Sequence, residues 1–289
     1  MKLTSVSLLL GRVERGADSS HVASLRGGRE HGAARRAAAG AAAILSYLVA
    51  LNGCVPEPAG PPEPQPGAIP AGQVIGGAAI EGRVVFEGSP PARRPIRMSS
   101  EAVCHRPGAE ALSEDVIVSS DGGLKNVYVH LTSGLDDRVF APPASPAVMD
   151  QVGCLFVPHV LDVQANQVIA FANGDPVVHN VRAICEKNRQ FNVSMPGKGK
   201  TVRRYFSTPE MVTIRCDIHA WMNAFIAVDN HPFHQVTGAD GSFALKGLPA
   251  GQYVVEAWQE KLGAQQRTVQ VAEGETRKID ITFRSRPAP

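Results

Sequence analysis

The sequence predicts an all-β protein in which no helix is longer than a turn or two. Short segments of alternating apolar and polar residues recur along the chain, as at residues 80–88 and 126–131. Turn-forming residues separate such segments, as in the proline-rich residues 89–91 and in Asp240-Gly241. A chain of 289 residues can form one large domain or two moderate ones, each with its own core.

The first 53 residues are predicted to be a signal peptide rather than part of the fold. Basic residues ending at Arg35-Arg36 precede an apolar run of 15 residues, 37–51. That run is shorter than the roughly 20 residues of a transmembrane helix. Residues 51–54 resemble a bacterial lipobox, which implies that Cys54 is lipidated. The alternative is an ordinary cleaved signal with an incidental cysteine.

A stalk is predicted for residues 54–78, where seven prolines alternate with glycine, alanine and glutamate. Such a segment stays extended at about 3.1 Å per residue and packs against no core. It would lift the folded part off a membrane. Without the first 53 residues the chain has 22 basic and 24 acidic residues, so its charge does not indicate a nucleic-acid partner.

Four side chains with metal-binding chemistry occur in a β-rich context. Cys216, His219 and Met222 are spaced by three within a short segment between two predicted strands, and His179 lies upstream. Two imidazoles and a thiolate, with a weak axial thioether, are the ligands of an electron-transfer copper site. Soft sulfur ligands favour Cu(I), whereas imidazole binds both oxidation states.

The segment from about residue 154 to residue 228 resembles the cupredoxins, or blue copper proteins. The spacing Cys-x2-His-x2-Met is similar to that of amicyanin, and the motifs at residues 168–175, 179–181 and 195–197 follow in the order that cupredoxins use. The resemblance implies a Greek-key β-sandwich that binds one type 1 copper.

The resemblance also implies a role for each site residue. His179, Cys216, His219 and Met222 would bind the metal, and the neighbouring Asn180 would tie the two ligand loops together. His219 would reach the surface through an apolar patch, with Ala220 and Trp221 beside it, and pass the electron to a partner.

The last third of the chain resembles a second family, the carboxypeptidase regulatory-like domain, which is a transthyretin-like β-sandwich. The resemblance rests on the Asp-Gly and Pro-x-Gly turns and their flanking strands in residues 236–253. The family's opening strands match earlier residues, so we expect residues 79–135 and 231–284 to form one sandwich. The cupredoxin domain, residues 136–230, would be inserted between them, and residues 285–289 would form a tail.

Three cysteines remain once Cys54 and Cys216 are assigned. An exported protein lies in an oxidising compartment, and we favour a disulfide between Cys104 and Cys154. Three pairings are possible because Cys185 is an alternative partner.

Together these features predict a membrane-tethered periplasmic carrier of one electron, with copper as its cofactor and a transient redox protein as its partner. No second copper ligand set is visible in the sequence, so we expect no catalysis within the chain, which could be accessory to a periplasmic oxidoreductase. The alternative is a surface lipoprotein that handles copper as cargo or holds a structural, non-redox metal.

Overall fold

The computed structural model describes residues 60–98, 102–104 and 110–285, all within one compact unit, Glu57–Pro289. The predicted signal peptide, Cys54 and the last four residues of the tail lie outside the described residues. The described part contains strands and no helix, which confirms the predicted all-β class. It therefore contains no helix long and apolar enough to cross a membrane.

The strands are numbered here in chain order. They are β1 (Ala78–Glu87), β2 (Ile117–Val118), β3 (Leu124–Lys125), β4 (Tyr128–Ser133), β5 (Ala147–Gln151), β6 (Phe156–Val157), β7 (Val160–Gln164), β8 (Ile169–Asn173), β9 (His179–Ile184), β10 (Phe191–Met195), β11 (Thr201–Arg204), β12 (Glu210–Arg215), β13 (Asn223–Asp229), β14 (His234–Val236), β15 (Ser242–Leu248), β16 (Gly251–Gln259), β17 (Gly263–Val271) and β18 (Thr276–Arg284).

The first sandwich consists of two sheets, with strand orders β10-β9-β12-β13-β7 and β11-β8-β5-β6. Pairing is antiparallel except for β5 with β8 and β7 with β13. Alternate residues of both sheets point inward and bury one apolar core, which includes Phe171 of β8 and Ile226 of β13. This burial is the main force that holds the two sheets together.

The second sandwich combines the sheets β15-β1-β18 and β14-β4-β16-β17 around a separate apolar core. Strand β1 pairs with both β15 and β18, so strands from before and after the first sandwich share a sheet. Gly82 permits the close parallel approach of β18, because a Cβ at this position would lie 1.6 Å from the Ile279 carbonyl oxygen. The Asp-Gly turn also has the expected geometry, with φ of +75° at Gly241.

The predicted stalk differs from its expected behaviour from Ile69 onward. The Ile69 N–H donates to the Val139 carbonyl oxygen (2.8 Å), and the Ala141 N–H donates to the Ile69 carbonyl oxygen (2.8 Å). Ile69 and Ile75 are partly buried against the core of the second sandwich. The expectation that residues 54–78 pack against no core is therefore wrong for this part, because two isoleucines interrupt the proline- and glycine-rich run.

The two sandwiches contact each other through polar pairs. His159, just before β7, lies 2.5 Å from Glu260, measured from Nε2 to Oε1. His234 of β14 lies 2.8 Å from Asp162 of β7, measured from Nδ1 to Oδ2. We call this boundary the junction.

Candidate metal centre

Strand pairing brings the candidate ligands to one end of the first sandwich. His179 is the first residue of β9, and Cys216 directly follows the last residue of β12. Because β9 and β12 are antiparallel neighbours with Arg182 opposite Arg215, the start of β9 lies beside the end of β12. The sheet therefore brings the two ligands together, although they are far apart in the sequence.

The loop between β12 and β13 is tight and closed by its own backbone. The Cys216 N–H donates to the Met222 carbonyl oxygen (3.1 Å), and the Met222 N–H donates to the His219 carbonyl oxygen (2.9 Å). Strand β13 then starts at Asn223, opposite Arg215. This closure places the three side chains of the loop at the same end of the sheet as His179.

The nitrogen and sulfur atoms of three candidate ligands converge. Nδ1 of His179 lies 2.9 Å from Nδ1 of His219, and Sγ of Cys216 lies 3.8 Å from the latter atom. All three residues are buried, and their ligand atoms lie within 4.8 Å of one another. Met222 is also buried, in the same apolar cluster as Cys216. A buried set of two imidazoles and a thiolate fits copper.

The electrostatics of the cluster favour a thiolate beside an imidazole. Burial raises the pKa of Cys216, but a hydrogen bond from His179 and backbone N–H groups, including that of Asn180, outweigh it and lower the pKa. Burial lowers the pKa of His179, but hydrogen bonds to Cys216 and Asp175 outweigh it and raise the pKa. The sulfur is thereby prepared for metal binding, which requires the deprotonated form.

Asn180 connects the two ligand segments. Its Oδ1 accepts a hydrogen bond from the Asp217 N–H (2.6 Å), next to Cys216 in the chain. Its Nδ2 donates to Asn192 (2.6 Å) and to the Asp217 carboxylate (3.1 Å). The strand that begins at His179 is thus fixed to the loop that carries Cys216.

The surface patch differs from the expectation for His219. The residue is only 1% exposed, so its imidazole does not reach the surface. The Trp221 ring lies beside it, with ring centroids 5.1 Å apart, and is half-buried, whereas Ala220 is exposed. Ile218, which is 49% exposed, is the larger apolar side chain at the surface of this loop. His219 is therefore covered at this surface by contacts such as that with Trp221, and the exit of an electron through the patch of His219, Ala220 and Trp221 stays a prediction.

Asp175 is a neighbour of the cluster that the sequence analysis did not identify. Its Oδ2 lies 3.0 Å from Nε2 of His179, and the carboxylate is buried. A carboxylate four residues before a candidate ligand histidine was the available signal. Its meaning depends on the conformation of the intervening loop, which spacing alone does not determine.

Cys104 and Cys154 form a disulfide, and Cys185 and Cys216 are the free, buried cysteines among the described residues. Cys154 also belongs to a second converging group, with Asp175 and His179. Its sulfur is bonded to Cys104, so this group offers no thiolate in the disulfide form.

Several solved structures of copper proteins align with part of the chain. The copper-containing nitrite reductase from Thermus scotoductus is 24% identical over 35% of this chain, with a TM-score of 0.29, and the alignment spans only 26% of that enzyme. A purple cupredoxin from Nitrosopumilus maritimus is 18% identical over 29% of this chain and 99% of its own, with a TM-score of 0.26. Amicyanin from Paracoccus versutus is 19% identical over 35% of this chain and 97% of its own, with a TM-score of 0.27.

No curated protein sequence matches the chain. One family model does match, over residues 222–284, and this stretch begins one residue before β13 of the first sandwich, ahead of the expected boundary at residue 231. The match confirms the regulatory-like part of the sequence prediction. Residues 222–284 contain a carboxypeptidase regulatory-like domain.

Proposed function

We propose that the chain is a type 1 copper protein that carries single electrons. The observation that supports this proposal most strongly is the convergence of His179, His219 and Cys216 in a buried cluster, with Met222 in the same loop. The site lies at the end of a rigid sandwich and is held by backbone bonds, so its ligands need little rearrangement. Small rearrangement is what fast electron transfer requires.

Each residue has a distinct role in this proposal. Cys216 is the thiolate ligand, and His179 and His219 present Nδ1 as neutral imidazoles. Met222 would be a further, weaker ligand that helps to set the reduction potential. A copper ion held there would supply one-electron redox chemistry. The protein contributes a fixed geometry and a site shielded from water.

The partner would dock at the loop that carries Cys216. Ile218 and Ala220 are exposed there, and Trp221 connects this surface with the His219 ring. Val178, next to the other histidine ligand, is 46% exposed. Small apolar surfaces of this kind suit transient redox encounters, whose interfaces are at the low end of the size range.

We further propose that the protein is exported and anchored by a lipid on Cys54 at the periplasmic face of a bacterial membrane. This proposal rests on the sequence of residues 35–54 alone. It is tested by metabolic labelling with a radioactive fatty acid. Label in the wild-type protein and none in Cys54→Ala would support it, and an unlabelled wild-type protein would refute it.

The copper proposal is tested by adding Cu(II) to the purified metal-free protein and recording its absorption spectrum. We expect an intense blue band that ascorbate bleaches and that is absent in Cys216→Ala. Cys185→Ala is the matched control, because Cys185 is the other buried free thiol of the same sandwich. It should retain the band.

The remaining outcomes would refute electron transfer. Copper binding without the blue band would indicate cargo or a structural metal. An absence of copper binding would leave the sandwich as an interaction scaffold.

A further inference from the structure

Asp175 determines which nitrogen of His179 is available to a metal. Nδ1 of His179 faces His219, and Nε2 faces the Asp175 carboxylate at 3.0 Å. A carboxylate accepts hydrogen bonds, so this contact keeps the proton on Nε2 and leaves the lone pair of Nδ1 directed at the cluster. The negative charge also raises the electron density of the imidazole.

Two consecutive backbone amides hold the Asp175 carboxylate. Oδ1 accepts from the Gly153 N–H (2.7 Å), and Oδ2 accepts from the Cys154 N–H (2.8 Å). Both residues have positive φ, 65° and 58°, which turns their N–H groups toward one anion. Cys154 is not a glycine, so its left-handed conformation is strained, and the surrounding structure must offset that strain.

The same short loop also supports the second imidazole. Nε1 of Trp221 donates to the Cys154 carbonyl oxygen (3.0 Å), and the Trp221 ring lies against His219. Cys154 is 1% exposed and bonded to Cys104. Contacts to both histidine ligands therefore begin at one backbone segment, residues 153–154, that a disulfide attaches to a distant part of the chain.

We propose that the disulfide-tethered loop at residues 153–154 positions both histidine ligands, and that Asp175 is the residue through which it favours the Cu(II) state. This inference rests on the proposed copper site. The carboxylate adds negative charge near the metal and makes His179 a stronger donor. Both effects stabilise Cu(II) more than Cu(I), so they lower the reduction potential.

The first test is Asp175→Asn, which keeps the shape of the side chain and removes its charge. We expect Cu(II) affinity to fall about 10–100-fold, as for other outer partners of ligand histidines, with a smaller loss for Cu(I). The reduction potential should rise accordingly. Chelator competition measures the two affinities, and voltammetry measures the potential.

The matched control is Asp150→Asn, because the Asp150 carboxylate lies beside Gly174, the residue before Asp175, and accepts from the Gln151 N–H. This variant should leave affinity and potential unchanged. A purely structural role for Asp175 would lower Cu(I) and Cu(II) affinity equally and leave the potential unchanged. That result would refute the proposal.

The second test is the double variant Cys104→Ser with Cys154→Ser. Both cysteines are replaced because a lone Cys154 thiolate, close to Asp175 and His179, could itself bind metal. We expect a loss of Cu(II) affinity that is not additive with Asp175→Asn, because both changes act through the same contacts. Losses of Cu(II) affinity that add fully, or no loss in the double cysteine variant, would refute the role of the Cys104–Cys154 disulfide.

Zinc separates this inference from the copper proposal. Zn(II) has no redox chemistry and also binds imidazole and thiolate, so its affinity reports how Asp175 holds and charges the ligands, without any change of oxidation state. If the wild-type protein binds metal without the blue band, the electron-carrier proposal fails. A fall in Zn(II) affinity in Asp175→Asn would then still support the positioning role, and an unchanged Zn(II) affinity would refute it.

Discussion

Two groups of buried or half-buried histidines in this protein are arranged for different purposes. One group lies at the end of the first sandwich that carries the candidate ligands, which we call the metal end. There, nitrogen atoms of His179 and His219 face each other beside the sulfur of Cys216. At the junction, one ring nitrogen of His159 and one of His234 each face a carboxylate of the other sandwich. The first group gathers lone pairs at one point, whereas the second satisfies each ring separately.

Asp229 contacts two histidines and a tyrosine at the junction. Its Oδ2 accepts from the Tyr128 hydroxyl (2.8 Å) and lies 2.6 Å from Nδ1 of His130. Its Oδ1 lies 3.2 Å from Nε2 of His231. The second ring nitrogen of His130 faces Glu256 at 3.4 Å. Both ring nitrogens of His130 face carboxylates, and Nε2 of His231 also lies 2.8 Å from the Leu131 carbonyl oxygen, so the junction histidines have a packing role.

Burial alone therefore does not identify a metal-binding histidine. Buried polar groups need partners, and a carboxylate provides one as well as a metal does. What distinguishes the metal end is a thiolate with a lowered pKa among converging nitrogens. Substitutions at the metal end should therefore lower copper affinity, whereas substitutions at the junction should lower the free energy of unfolding.

The largest effect is expected for His179→Ala. Its Cu(II) affinity should fall by more than about 100-fold, because loss of an outer partner alone costs about 10–100-fold and this change removes a ligand. His234→Ala is the matched control at the junction and should bind copper normally. Chelator competition on both variants measures the difference. Equal losses would contradict the assignment of the two groups.

Asp229→Asn should destabilise the fold by about 3 kcal/mol, because it leaves buried histidines without their charged partner. The blue band should remain. Urea unfolding measures the loss, and Asp162→Asn, which removes a more exposed carboxylate with one histidine partner, should cost about 1 kcal/mol. A similar cost for both variants would contradict the central place of Asp229.

The two free thiols should differ in reactivity about tenfold in the metal-free protein. Burial, with a contribution from Glu210, raises the pKa of Cys185 to about 11, whereas the pKa of Cys216 is lowered. At pH 8 the fraction of Cys216 that is thiolate exceeds that of Cys185 by about 100-fold or more. The lower nucleophilicity of the Cys216 thiolate partly offsets this difference in the rate of alkylation. Alkylation followed by peptide mass spectrometry measures both rates. Faster labelling of Cys185 would contradict the electrostatics of the metal end.

The smallest effect is a pH dependence of the Asp229→Asn cost. Burial lowers the pKa of His130, but hydrogen bonds to Asp229 and Glu256 outweigh it and raise the pKa above 6.5. Burial raises the pKa of Asp229, but the bond from His130 outweighs it and lowers the pKa below 3.8. The His130 contribution is lost as pH rises through its raised pKa, and the Asp229 contribution is lost as pH falls through its lowered pKa.

The difference in unfolding free energy between wild type and Asp229→Asn should therefore be largest between about pH 4 and pH 6.5. Urea titrations across the pH range give the curve. A difference that grows continuously above pH 7 would contradict the charged His130–Asp229 pair.

The sequence was informative where local chemistry decides the structure. Alternating patterns and turn residues predicted strands such as β1 and β4, and the spacing of Cys216, His219 and Met222 predicted a ligand loop. Both signals depend on neighbours in the chain, because strand period and loop closure are local properties.

The features that could not be predicted depend on contacts between distant segments. The burial of His219 follows from the position of Trp221, which Cys154 holds from another loop. The contact of Asp175 with His179 requires the turned amides of residues 153–154. The packing of Ile69 depends on residues 139–141, which are far away in sequence.

The most direct test of the copper site is X-ray absorption spectroscopy of the copper-loaded protein in both oxidation states. We predict two nitrogen ligands and one short sulfur ligand in each state, with little change in the copper–ligand distances on reduction. Loss of an imidazole or of the thiolate on reduction would contradict an electron-transfer site and would favour a site that binds copper as cargo.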